Sequence, residues 1–162
     1  MSRARAVARA GLRMLPLLVA AALTLGAVLA PLAEGAGLSG TADVLYALLG
    51  GVCHQVPTRS LFFGASHMAL CGRCFALWGS GAVAGLAALA FRVRPLPPAL
   101  TGLLVLPCLM DGFAPRFSFW LQTMASRTFT GLLAGSAIAL FLYPRYLTLI
   151  DGAFEKRSGP TQ

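Results

Sequence analysis

Long apolar runs separated by short polar breaks dominate this chain, and no stretch alternates as a half-buried strand does. Residues 14–33 form an apolar run of about 20, enough to cross ~30 Å of hydrocarbon as a helix. Further runs occupy residues 74–91, 99–113 and 128–143. The run from Ala42 to Gly51 is only about ten residues, too short to span, and suits an interfacial or re-entrant helix. The pattern predicts an all-α, polytopic integral membrane protein. It has four transmembrane helices and a short helix leading into Cys53-His54-Gln55.

The punctuation fits these elements. Pro16 falls in the first turn of the first run, where its missing N–H is harmless. Pro57 argues against a helix continuing through the Cys-His-Gln motif. Tyr143-Pro144-Arg145 is expected to end the last span, leaving residues 147–162 as a polar tail, disordered from Asp151 onward. Gly81 and Gly85, and again Gly131 and Gly135, are spaced four apart, which permits close helix approach in lipid. A cleaved signal is the rival reading of the first run, since Leu32-Ala33-Glu34-Gly35-Ala36 offers small residues. The run exceeds the usual core of a signal, so a retained helix is expected.

Composition supports the class. Apolar residues make up 57% and charged ones 11%, against roughly 25% charged in soluble domains. The net charge of +8 does not point to nucleic acid, because most basic residues flank apolar runs. Such flanks orient a membrane protein. They place residues 1–13, the Arg92–Arg94 turn and the tail on the cytoplasmic side, so the expectation is a multi-pass protein of a bacterial inner membrane with both termini cytoplasmic. The lipid bilayer is then the main partner, with a homo-oligomer or a membrane partner protein compatible. Arg59, Arg73, Arg116 and Arg127 fall on the outer side, which disfavours arginine. Phe113, Phe117, Phe119 and Trp120 fit an interfacial belt on that side.

The outer ends of the spans gather the chemistry. Three of the four cysteines and both histidines lie between Cys53 and Cys74. Asp111 ends the third run, Cys108 lies one turn deeper as a buried apolar thiol, and Arg127 and Thr130 open the fourth run on one face. Asp111 and Arg127 are expected to form an ion pair. His67 reads as an interfacial side chain more readily than as a ligand.

The ordered set Cys53-His54-Gln55, Pro57, Arg59-Ser60, Cys71-x-Arg73-Cys74, Asp111-Gly112 and Arg127-x-x-Thr130-Gly131 resembles the membrane family designated domain of unknown function 2085 (DUF2085). The resemblance covers roughly residues 45–135 within a membrane domain of residues 34–146. It implies an architecture and a site, and no particular reaction. Where a small polar residue and Gly usually follow the second Cys of the pair, this chain has Phe75-Ala76-Leu77-Trp78.

Three readings of the site stay open. Cys53, Cys71 and Cys74 with His54 or His67 match a tetrahedral zinc set or a soft copper site. Alternatively, Cys-x-x-Cys at a helix N-terminus favours thiolate, and Arg73 between the two adds to that. An outward Cys-x-x-Cys at the start of the second span is also like quinone-linked disulfide-forming enzymes in architecture. The third reading is a structural disulfide in a membrane scaffold or assembly protein. Gln55 and Arg59 complete the polar candidates. No Ser-His-Asp order, phosphate-cradling loop or paired-carboxylate motif is visible.

Overall fold

The computed structural model describes residues 3–113 and 123–156. Helix α1 spans Arg3–Gly35, α2 Ser39–Gly50, α3 Gly72–Phe91, α4 Pro98–Phe113 and α5 Met124–Lys156. A 3-10 turn, Pro57–Arg59, and an antiparallel hairpin of β1 (Phe62–Phe63) and β2 (Ser66–His67) lie between α2 and α3. Gly64 at φ 63° makes the hairpin turn. Three helices, α1, α3 and α5, are long and apolar enough to cross a membrane, while α4 is a shorter apolar helix of 16 residues. Their outward faces carry leucine, valine and phenylalanine, including Val83, Leu103 and Phe129 at 62–70% exposure.

Small residues set the closest contact. A Cβ on Gly131 would stand 2.5 Å from the Arg73 carbonyl oxygen, and one on Gly135 would overlap Leu77 O and Ser80 Oγ. The glycine spacing on α5 therefore does what it predicts, bringing α5 onto the backbone of α3. On α3 the second glycine pair works differently. Gly85 receives the Leu17 side chain of α1, and Gly81 faces the Gly135 carbonyl.

Three helix-internal prolines serve as docking points. A proline cannot donate to the carbonyl four residues before it, so that oxygen stays open for another donor. Pro31 frees Ala27 O, which accepts the Ala69 N–H of the loop before α3 at 3.3 Å. Pro16 frees Leu12 O, which accepts Tyr146 Oη–H at 2.6 Å. Pro144 frees Leu140 O, which accepts the Leu96 N–H at 3.1 Å.

These bonds explain where the elements outrun the sequence reading. The last apolar run does not stop at Tyr143-Pro144-Arg145 but continues as helix to Lys156, because Leu96 satisfies the orphaned carbonyl and Arg145 donates to Phe141 O at 2.5 Å. The tail expected to be disordered from Asp151 is therefore helical through Lys156. The first helix begins at Arg3, not residue 14, and Arg9 and Arg13 pair with Asp151 across to α5. Arg116, Phe117, Phe119, Trp120 and Gln122 lie outside the described residues. At the far end of that gap, α5 opens with a reciprocal cap. Ser126 N–H donates to Thr123 Oγ1, and Thr123 N–H to Ser126 Oγ.

The contacts also fix two ends of the bundle. Leu96, just before α4, lies beside Leu140, and Asp111 near the end of α4 meets Arg73 and Thr130. Arg9 and Asp151 bring the outer parts of α1 and α5 together at the Leu140 end.

Candidate functional site

Cys53 sits just past the C-terminus of α2, where its N–H donates to Leu49 O at 3.0 Å. The next turn is held by Gln55, whose backbone adopts φ 50° and whose side-chain amide donates to Tyr46 O at 2.7 Å. The chain then runs through the 3-10 turn and hairpin into Met68-Ala69-Leu70. These three residues are fully buried against Ala27 and Ala30 of α1. That burial, with the Ala69–Ala27 bond, delivers Cys71 to the N-cap of α3 and Cys74 to its first turn.

The three sulfurs of Cys53, Cys71 and Cys74 all lie within 4.8 Å of one another. Cys53 is buried, and Cys71 and Cys74 are half-buried. The Cys71 N–H points at Cys53 Sγ from 3.3 Å. Hydrogen bonds from the Cys71 and Cys74 thiols, with that backbone N–H, hold the Cys53 thiol far below the ordinary thiol range despite its burial. None of the four cysteines is in a disulfide, and Cys108, buried on α4, is not one of the three clustered sulfurs. Sulfurs bound at about 2.3 Å to one tetrahedral ion stand roughly 3.8 Å apart, a spacing compatible with a cluster whose sulfurs lie within 4.8 Å of one another.

The histidines take other places. His54 is exposed and is not part of the three-sulfur cluster. His67 lies in β2, its ring 5.4 Å from that of Tyr46 and 6.1 Å from that of Phe62, and its carbonyl accepts Tyr46 Oη–H at 2.5 Å. Arg59 is exposed on the 3-10 turn.

Beside the sulfurs runs an ionic contact. The sequence reading pairs Asp111 with Arg127, but the salt bridge of Asp111 among the described residues is with Arg73. Arg73 also donates to the Asp111 carbonyl at 2.8 Å, while Ser126 Oγ and Thr130 Oγ1 approach the carboxylate at 3.4 and 3.5 Å. The reason is packing. Helices α3 and α4 both pack on α5, which sets the Arg73 guanidinium against Gly112 and Asp111 near the end of α4. Arg127 is buried in the first turn of α5 nearby. Tyr46 and Ser126 are the contributors that residue type alone did not flag. The Thr123-x-x-Ser126 spacing marks the cap that holds Ser126.

Residues 53–141 match the DUF2085 family, described as predicted membrane proteins. The chain belongs to the DUF2085 family. It is 28% identical over 116 residues to a protein of Methanocaldococcus jannaschii described as uncharacterised, covering 68% of this chain and 74% of that one. No solved structure matches. The matched segment begins at Cys53 and takes in the sulfur cluster, Arg73, Asp111, Arg127 and Thr130. The chain is thus a membrane protein whose family segment contains the three clustered cysteines and the Arg73–Asp111 contact.

Proposed function

We propose that Cys53, Cys71 and Cys74 form a thiolate centre for a soft metal ion, zinc or copper(I), at the outer face of a four-pass inner-membrane protein. The observation that carries this reading is the convergence of three sulfurs from two separate loops within 4.8 Å. Two cysteines would suffice for a disulfide, which would leave the third thiol without a role. Soft thiolates select zinc and copper(I), and a backbone N–H to a ligand sulfur stabilises the thiolate form. Zinc would keep a fourth position for the neighbouring His54 or for water.

The membrane placement is part of the same proposal. Helix α4, with 16 residues, makes the fourth crossing, supported by its run from the level of Leu140 to that of Arg73. Helix α2 lies at the outer interface or re-enters it, and the basic termini share the cytoplasmic side, which the Arg9–Asp151 and Arg13–Asp151 pairs favour.

Metal analysis of protein purified without chelator tests the centre. About one equivalent of zinc or copper is expected, falling to near zero in Cys53→Ser or Cys74→Ser and unchanged in Cys108→Ser. Acidification should release the ion, because protons compete for the thiolates. A second reading, thiol redox, is favoured by Cys71 at the N-cap of α3. Metal-free protein with readily alkylated thiols would support it. Thiols that alkylate only after reduction would support the structural disulfide of a scaffold protein.

A further inference from the structure

The end of the bundle away from the cysteines holds a crevice of about 790 Å³ between α1, α3 and α5. Five arginines line it, Arg9, Arg13, Arg92, Arg94 and Arg145, against a single carboxylate, Asp151. Asp151 is shared by Arg9 at 2.9 Å and Arg13 at 2.6 Å. Arg145 donates to Leu96 O and Phe141 O, which carry no formal charge. Among the described residues no salt bridge reaches Arg92, Arg94 or Arg145. Arg13 Nε is buried without a hydrogen-bond partner. Arg92 takes φ 50° at the C-cap of α3, a left-handed conformation unusual for a residue with a side chain.

We infer that this crevice is a phosphate-binding site that takes the headgroup of an anionic phospholipid. Guanidinium groups match phosphate oxygens in bidentate geometry, and several of them converge here with their charge uncompensated. The depth is right for a headgroup. From Cys74 to Arg92 the rise along α3 is ~27 Å, close to the ~30 Å hydrocarbon thickness, so the crevice lies at the opposite membrane surface. Phe91 and Leu149, adjacent in sequence to the lining residues Arg92 and Thr148, are 79% and 73% exposed, a surface suited to acyl chains. Basic pockets between helices on the cytoplasmic side are a general way to hold such headgroups. The inference does not depend on what the cysteines bind.

The test measures binding of phosphatidylglycerol and of phosphatidylcholine to the full-length protein in neutral detergent micelles, with and without inorganic phosphate. Phosphatidylglycerol should bind in preference, and Arg92→Gln/Arg94→Gln should weaken it roughly thirtyfold. Neither arginine makes a salt bridge within the described residues, so the variant should still fold. Arg3→Gln/Arg5→Gln removes the same charge outside the crevice and should weaken binding no more than about threefold. Binding of inorganic phosphate itself, lost in the Arg92/Arg94 variant, would support the site and name a soluble source for the group. Equal weakening in both double variants would overturn it, as would failure of both phosphatidylglycerol and phosphate to bind better than phosphatidylcholine.

Discussion

The two ends of this bundle use the same residue types in opposite ways. At the cysteine end, Arg73 and Asp111 pair directly, with Ser126 and Thr130 also approaching the carboxylate. Asp111 keeps only 6% of its side-chain surface exposed there. At the other end, Arg9 and Arg13 share Asp151, whose side chain is 28% exposed, and three further arginines line an open crevice. The carboxylate is enclosed by its partners at one end and lies open in an arginine-lined crevice at the other. A closed ionic contact holds helices in place, whereas an open excess of one sign recruits the opposite sign from outside.

The helix pair that joins the two ends is where the largest effect is expected. Gly135→Ala places a Cβ on the Leu77 carbonyl, which cannot retreat without moving α3. The expected cost is about 3 kcal/mol or more, seen as loss of folded protein in the membrane and loss of both metal and lipid binding. Gly102→Ala, on α4 with open space around it, is the control and should be neutral or slightly stabilising. If Gly135→Ala folds as well as Gly102→Ala, close packing of α3 and α5 is not what holds the ends together.

Next in size is Asp111→Asn. Removing one partner of a buried pair strands the other charge and typically costs ~3–5 kcal/mol; the partial exposure of Arg73, 18% of its side chain, puts this case near the lower figure. Arg73→Gln should cost a similar amount, and the double variant less than the sum of the two. Strict additivity, measured by unfolding in mild detergent, would mean the pair contributes nothing. Asp111→Asn combined with Arg127→Gln supplies the contrast, with less coupling expected than for Arg73.

How much of this was legible in the sequence depends on the range of the interaction. The apolar runs, the glycine spacing on α5 and the clustering of Cys53, Cys71 and Cys74 are local signals, and the structure carries each of them. Pro144 misled as a helix end because the compensating donor, the N–H of Leu96, is remote in sequence. The same blindness assigned Asp111 to Arg127. Both arginines sit in the first turn of a helix at that end of the bundle, and only the packing of α3 and α4 on their shared neighbour α5 selects Arg73. Outside the apolar runs, the helical ends of α1 before residue 14 and of α5 beyond Pro144 were the least readable, because their partners are remote in sequence.

The smallest effect on stability, and the sharpest separation of the two ends, should come from Asp151→Asn. It makes the same chemical change as Asp111→Asn, carboxylate to amide, at the open end. Arg9 and Arg13 are 26% and 33% exposed and remain solvated when the carboxylate is neutralised. Half-buried, solvated pairs of this kind stay close to the ~0–1 kcal/mol of a surface pair, so the melting temperature should fall by no more than about 2–4 °C. Loss of that carboxylate also leaves the five arginines without their one internal counter-ion. Affinity for phosphatidylglycerol should therefore rise about fivefold, by the ~1 kcal/mol that one charge near a headgroup contributes. The identical substitution is thus expected to damage one end and to strengthen binding at the other. Were Asp151→Asn to destabilise the protein as much as Asp111→Asn, or to weaken lipid binding, Asp151 would be a structural partner of Arg9 and Arg13, and the contrast between the ends would not hold.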